Sequence, residues 1–127
     1  WEEKAGGAER EISIMKDMTV TEMAAAMNLE ILVEGDGSRT ITGGYCGDLL
    51  SWVMGRAKEG NVWITVMGNV NAIAVAVLAD TACILLAEDS PLDDEARSRA
   101  EAQDVPVLRS GKDTYSLAVE LGWLLNR

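Results

Sequence analysis

The sequence contains no histidine and no phenylalanine, and only two cysteines and two prolines stand among its 127 residues. Without histidine, the chain lacks the commonest general base of proteins and one of their common metal ligands. Two cysteines make no disulfide framework, and the spacing of Cys46 and Cys83 matches no metal motif. Because no secretory segment is visible, we expect a reducing, cytoplasmic environment. The composition indicates neither a metal nor another cofactor.

Positive charge is also scarce. Lysine and arginine total 11 against 21 aspartates and glutamates, which gives a net charge of −10. This balance disfavours nucleic acids and anionic membranes as partners, since both are negatively charged. The longest apolar run, residues 72–79, is too short to span a bilayer.

The most distinctive stretch runs from Ser38 to Leu50. Its small and turn-forming residues predict a loop that leads into a helix beginning at Asp48. Gly43 and Gly44 would allow positive φ angles, and Asp48 would cap the helix by accepting from its free N–H groups. Such a loop can hold an anion, while the simpler interpretation is a tight turn with a helix cap.

The order of residues in this stretch resembles the motif of the DRTGG domain family. The matching residues are Arg39-Thr40-Ile41-Thr42-Gly43-Gly44-Tyr45 followed by Asp48-Leu49-Leu50. The resemblance continues through residues 57–65 and covers about Met15 to Leu125. The chain departs from the motif in two ways: Ser38 replaces the family's first aspartate, and Thr40 stands apart from the glycine pair.

The resemblance carries expectations about function. Domains of this family occur alone and inside phosphotransacetylases and CBS-domain pyrophosphatases, and they look like the N-terminal domain of HPr kinase/phosphorylase. In those larger proteins the chemistry belongs to other domains. The resemblance therefore implies a regulatory or interaction domain that self-associates.

The rest of the sequence predicts an α/β fold. We expect residues 1–14 to be a flexible extension or a segment added for expression, followed by one DRTGG-like domain over residues 15–127. Strand and helix patterns alternate there, which predicts a single three-layer domain: a mainly parallel sheet of four or five strands with helices on both faces. The predicted strands are 29–33, 62–66, 83–87 and 105–108, and the predicted helices are 19–28, 48–58, 71–79, 93–102 and 113–125. Thr19 and Glu22 fit a capping box, and Ser110 or Asp113 can cap the last helix.

Two features resemble catalytic motifs only in part. Residues 111–114 look like the end of a P-loop, but Pro106 stands where the first glycine belongs and Asp113 where the final Ser or Thr belongs. Cys46 would need a histidine to activate it as a nucleophile. We therefore expect no enzymatic activity from this domain.

Polar residues that follow predicted strands indicate a ligand site. In open parallel sheets, ligands bind beyond the carboxyl ends of the strands. The candidate ligand-binding residues are Thr42, Gly43, Gly44, Asp48, Thr65, Asn69 and Asn71. Most of them are neutral hydrogen-bonding groups, which position a small ligand without supplying acid or base. An adenine-nucleotide sensor and an accessory subunit of a phosphotransfer system therefore remain as alternatives, each with a possible protein partner.

Two apolar surfaces predict a homodimer. The helix at residues 71–79 has no polar face, so we expect it to be buried on all sides. In the last helix, Tyr115, Val119 and Trp123 form a stripe on the side away from the predicted inner face. This stripe is either a dimer interface or a surface covered by the N-terminal helix of the same chain.

Overall fold

The computed structural model describes residues 17–126, which form one mixed sheet with helices on both faces. The strands are β1 Glu30–Val33, β2 Gly43–Cys46, β3 Asn61–Thr65, β4 Cys83–Leu86 and β5 Val107–Arg109. The helices are α1 Val20–Ala26, α2 Leu50–Arg56, α3 Val70–Ala79, α4 Asp94–Ala102 and α5 Thr114–Leu125. This architecture confirms the predicted fold class. The predicted extension over residues 1–14 lies outside the described residues.

The sheet has the strand order β1-β5-β4-β3-β2. Strands β2 to β5 are parallel neighbours in chain order, and β1 pairs with β5 in the antiparallel sense. Because each parallel step moves in the same direction, right-handed connections place α2, α3 and α4 on one face. Helices α1 and α5 cover the other face, where Met23 and Leu117 belong to the same buried core as Cys83 and Leu85.

The central strands alternate between two apolar cores. Ile84 and Leu86 of β4 belong to the core beneath α2, α3 and α4, whereas Cys83 and Leu85 belong to the core beneath α1 and α5. All residues of β3 and β4 are buried. This burial on both faces explains why these strands read as continuous apolar runs in the sequence.

Polar caps fix where most helices begin. Thr19 and Glu22 form the predicted capping box at α1, in which the Thr19 hydroxyl accepts from the Glu22 N–H at 3.1 Å. The side chains of Asn69, Asp93 and Asp113 accept from the first turns of α3, α4 and α5. Asp113, and not Ser110, is therefore the cap of the last helix.

The predicted loop over residues 38–50 is wrong in its middle. Gly43–Cys46 is the edge strand β2, paired in parallel with β3. Neither Gly43 nor Gly44 has a positive φ angle; among the described glycines only Gly35 and Gly60 do. Gly44 lies close to α5: a Cβ there would be 2.9 Å from Cδ2 of Leu121, so a larger residue requires the Leu121 side chain to shift.

Two further expectations are corrected. Asp48 does not cap α2: Leu49 is the N-cap residue and no side chain caps this end. The apolar helix α3 is not buried on all sides, since Val77 is 42% exposed and Leu78 is 69% exposed. Both side chains lie near the carboxyl end of α3, where α2 and α4 leave its outer surface open.

Candidate functional site

The motif residue Arg39 fastens the chain to the end of α3. Its guanidinium donates to the Asp80 carboxylate at 2.9 Å, to the Thr81 carbonyl at 3.1 Å and to the Asp80 carbonyl at 3.2 Å. Asp80 is the C-cap of α3 and has a left-handed backbone. A cation that binds the free carbonyls at a helix C-terminus stabilises that end of the helix.

Thr42, two residues before Gly44, also makes contacts within the chain. Its hydroxyl donates to the Glu59 carbonyl at 2.7 Å and accepts from the Asn61 side-chain amide at 3.3 Å. Its backbone N–H donates to the Gly60 carbonyl. The first part of the motif therefore holds the chain against the amino end of β3.

Asp48 connects the carboxyl ends of β2 and β3. Its Oδ1 atom accepts from the Thr65 hydroxyl at 2.6 Å and from the Val66 N–H at 3.0 Å. The Thr65 hydroxyl in turn accepts from the Met67 N–H at 3.2 Å. The buried Thr65 side chain thus has both a donor role and an acceptor role within the chain.

The loop between β3 and α3 continues this polar edge. The Asn69 side-chain oxygen accepts from the Ala72 N–H at 3.0 Å, and Asn69 is half-buried. The Asn71 side chain is exposed in the first turn of α3. Gly68 packs so closely on the next loop that a Cβ would overlap the Pro91 carbonyl oxygen.

A turn with an unusual backbone follows β4. Glu88 and Asp89 both have left-handed conformations, with φ angles of 57° and 55°. The Ser90 N–H donates to the Ala87 carbonyl at 3.1 Å, so residues 87–90 form a type I′ turn. The Glu88 and Asp89 N–H groups donate to the carbonyls of Lys112 and Ser110, which joins the loops that follow β4 and β5.

These two loops mark the position where open α/β sheets usually bind ligands. The chain passes from β4 to α4 on one face and from β5 to α5 on the other, so the connections diverge between neighbouring strands. We infer that the candidate site is centred on the carboxyl ends of β3, β4 and β5. Sequence reasoning placed Glu88 and Asp89, which follow the strand predicted at 83–87, at this edge, but it left out the β5 loop, although the position of that loop after a predicted strand could have indicated it.

The seven predicted ligand residues fall into two groups. Asp48, Thr65, Asn69 and Asn71 lie at the carboxyl ends of the strands, while Thr42, Gly43 and Gly44 lie toward the amino end of β2. The structure does not bring these groups together, because β2 starts at Gly43 and its length separates them. Only the first group can contribute to a site at the carboxyl edge.

The titratable groups of this edge are mostly acidic. Asp48, Glu88, Asp89 and Asp113 lie on loops there, and the nearby cations are Arg109 and Lys112. Arg109 pairs with Glu30 at 3.1 Å and Lys112 pairs with Glu120. Within residues 17–126, no group of three Asp, Glu or Cys side chains is arranged to hold a metal ion.

Neither cysteine has the environment of an activated nucleophile. Burial raises the pKa of the Cys46 thiol, and the Asp48 carboxylate raises it further. Complete burial raises the pKa of the Cys83 thiol to about 12. Both thiols are therefore protonated at neutral pH, and thiolates are the reactive form.

A second surface feature is the outer face of α5. Tyr115 and Trp123 are each 78% exposed and Val119 is 38% exposed, so the described part of the chain leaves this stripe open. Between the stripe and α1 lies an open groove of about 910 Å³. Its walls are formed by Ala26, Met27, Val119, Glu120, Gly122, Trp123, Leu124 and Asn126.

The chain belongs to the DRTGG domain family, which it matches over residues 24–122. A solved structure with a similar fold is the CBS and DRTGG regulatory region of Clostridium perfringens pyrophosphatase, complexed with the activator diadenosine tetraphosphate. The two share 11% sequence identity with a TM-score of 0.64, over 81% of this chain and 45% of the other. This chain thus corresponds to less than half of that regulatory region.

No curated protein sequence matches the chain. Among the described residues, no helix has both the length and the apolar character that crossing a membrane requires.

Proposed function

We propose that this domain is a non-catalytic regulatory domain that self-associates through α5 and responds to a small ligand. The observation that carries the proposal is the exposed stripe of Tyr115, Val119 and Trp123. Its two aromatic side chains are each 78% exposed. Large aromatic side chains are enriched at protein interfaces and cost free energy when water surrounds them.

Self-association is tested with one variant in the stripe and one outside it. Trp123→Glu places a charge in the stripe, and we expect it to convert a dimer to a monomer in sedimentation equilibrium. Leu78→Glu is the matched control, because Leu78 is 69% exposed on the opposite face of the sheet. We expect this control to leave the dimer intact. A monomeric unmutated protein at millimolar concentration contradicts the proposal.

The ligand-sensing part of the proposal is supported by the carboxyl edge of the sheet. Asn69 and Asn71 present neutral amide groups there, and such groups orient a ligand by hydrogen bonds. The similar regulatory region was solved with diadenosine tetraphosphate, which makes an adenine nucleotide the first class to test. Because carboxylates surround this edge, we expect polyphosphates to bind better with Mg²⁺ than without it.

A thermal-shift panel tests this second part. Adenosine, AMP, ATP and diadenosine tetraphosphate are each compared with and without Mg²⁺, since a ligand of the native state raises the melting temperature. We expect a rise with at least one adenine compound, and we expect Asn71→Ala to remove that rise while leaving the unliganded melting temperature unchanged. A panel without any rise contradicts adenine binding but leaves the self-association result untouched.

A further inference from the structure

A second cavity, with a volume of about 350 Å³, lies between α1 and the edge strand β1. Ile31 of β1 and Leu108 of β5 are register partners, so their side chains lie on the same face of the sheet and form the floor of the cavity. Val20 and Ala24, one turn apart on α1, form a wall. Ile31 is still 48% exposed, so the floor is accessible from solvent.

The loop over residues 34–38 closes one end of this cavity, and contacts within the chain fix the shape of the loop. The Thr21 N–H and the Thr21 hydroxyl both donate to the Gly37 carbonyl, at 2.9 Å and 3.0 Å. Gly35 has a φ angle of 51°, and a Cβ there would lie 2.4 Å from the backbone nitrogen of Pro106. This end of the cavity is therefore preformed, which lowers the entropy that a ligand loses when it binds.

The charged groups that line this end are both carboxylates. Glu34 and Asp36 line the cavity, and both residues are exposed. Ser38 donates its hydroxyl at 2.5 Å and its N–H at 3.2 Å to Oδ1 of Asp36. The hydroxyl, and after it the N–H, lowers the pKa of Asp36, so this carboxylate is ionised at neutral pH. Both of these hydrogen bonds leave Oδ2 of Asp36 free to accept from a ligand.

The described part of the chain supplies no cation to these two carboxylates. Neither lysine nor arginine is among the described residues that line the cavity. Arg39, the nearest cation along the chain, donates its guanidinium to Asp80 at 2.9 Å. Arg109 of β5 pairs with Glu30 at 3.1 Å. The carboxylates at the end of the cavity are therefore open to a cation from outside the chain.

We propose that this cavity binds a small primary alkylamine. The ammonium group donates to the Glu34 carboxylate and to Oδ2 of Asp36, and such charge-assisted hydrogen bonds are stronger than neutral ones. The alkyl chain covers Ile31 and Leu108, which removes apolar surface from water. The net charge of −10 also attracts a cationic ligand toward the chain.

Two other kinds of occupant fit this cavity less well. A divalent metal ion takes six or more oxygen ligands, and within residues 17–126 no group of three acidic side chains is arranged to hold one. A metal ion also makes no contact with the apolar floor. An uncharged protein segment would cover Glu34 and Asp36 without giving them a partner, and a buried charge without a partner costs free energy. An alkylamine satisfies both the carboxylates and the floor.

An NMR titration of the full chain at pH 7 and constant ionic strength tests the proposal. We expect pentylamine to shift the amide signals of Thr21, Ile31 and Gly37 in a saturable way. It should bind at least about tenfold more tightly than pentanol, which lacks the charge. From methylamine to pentylamine, affinity should rise by up to about fourfold for each methylene that leaves water.

Three results of this titration overturn the proposal. Equal binding of pentylamine and pentanol removes the role of the carboxylates. Equal binding of pentylamine, methylamine and Ca²⁺ shows only an acidic surface without an apolar subsite. Nα-acetyl-lysine methylamide carries an alkylammonium group on a peptide backbone, and if it binds more tightly than pentylamine, the cavity accepts the lysine of a protein partner and not a small amine.

A pair of carboxylate variants tests which group holds the amine. Glu34→Gln keeps the size of the side chain but removes its charge, and we expect pentylamine to bind about tenfold more weakly. Glu101→Gln is the matched control, because Glu101 is an exposed residue of α4 on the other face of the sheet. This control should bind pentylamine like the unmutated chain. If the two variants change binding equally, the amine responds to net charge alone and the proposal is wrong.

These experiments are independent of the proposed adenine site. Strand β1 runs antiparallel to β5, so the loop that follows β1 lies at the amino end of the parallel strands. The candidate adenine site lies at their carboxyl end. A failure of the amine titration therefore leaves the thermal-shift test of adenine compounds unaffected.

Discussion

The two ends of the sheet are held together in different ways. At the amino end, the motif side chains bind the chain itself: Arg39 donates to the end of α3, and Thr42 donates to Glu59. At the carboxyl end, the loops are joined mainly through backbone groups, while side chains such as Asn71 remain exposed. The side chains of Arg39 and Thr42 therefore stabilise the fold at the amino end, whereas exposed side chains at the carboxyl end, such as Asn71, remain accessible to the ligand that we propose.

The largest expected effect tests the backbone packing at the carboxyl end. A Cβ at Gly68 would overlap the Pro91 carbonyl oxygen, which belongs to the backbone and cannot move alone. We expect Gly68→Ala to lower the free energy of unfolding by about 3 kcal/mol in urea titrations. Gly55→Ala is the control, since its open surroundings predict a small gain in stability. Equal stability of the two variants contradicts the close packing of these loops.

The next largest expected effect is a loss of stability when a glycine of the motif pair is replaced by valine. A Cβ at Gly44 lies 2.9 Å from Leu121, whereas a Cβ at Gly43 has its nearest neighbour, the Asn61 amide, at 3.5 Å. We expect Gly44→Val to cost about 2 kcal/mol and Gly43→Val less than about 0.5 kcal/mol. If both substitutions lower the free energy of unfolding equally, the two glycines are needed for their backbone conformation and not for contact with α5.

Substitution of Arg39 tests whether this motif side chain stabilises the amino end of the sheet. We expect Arg39→Ala to lower the free energy of unfolding by about 1–2 kcal/mol, because the carbonyl of the buried Thr81 loses its charged donor. The exposed ion pair to Asp80 contributes little to this value. Arg39→Lys keeps the charge but not the planar group that reaches three acceptors, so it should restore less than half of the loss.

The sequence predicted those features of the structure that depend on neighbouring residues, and it missed features that depend on contacts between distant residues. The cap at Thr19 and the apolar strands β3 and β4 were predicted correctly, and Asp113 was one of the two caps predicted for the last helix, because each feature depends on neighbouring residues. Strand β2 was missed because Gly-Gly-Tyr-Cys has no apolar alternation and is defined only by its pairing with β3. Asp48 was misassigned for a related reason: an aspartate before a helix can cap it, but here it accepts from the Thr65 hydroxyl, which is distant in the sequence.

The candidate site shows the same limit. Thr65, Asn69 and Asn71 were placed correctly at the carboxyl edge, since the rule about strand ends needs only the position of β3. Thr42, Gly43 and Gly44 were placed at the wrong end because the missed strand begins at Gly43, which puts them at its amino end. Their assignment to ligand binding therefore loses its basis, while that of the carboxyl-edge residues remains a prediction.

The smallest expected effect concerns Glu88, and it tests whether this strained residue at the carboxyl end takes part in ligand binding. Glu88 occupies a left-handed position of a type I′ turn, where asparagine and glycine are preferred and glutamate costs about 1 kcal/mol. We therefore expect Glu88→Asn to raise the free energy of unfolding by about 0.5–1 kcal/mol. Asp89→Asn is the control, because aspartate already tolerates this conformation and little should change. If Glu88→Asn gains stability but loses the thermal shift with an adenine compound, the Glu88 side chain acts in ligand binding despite its strain. If it gains stability and keeps the shift, the strained turn has no part in the site, and the predicted ligand residues at this edge are Asp48, Thr65, Asn69 and Asn71.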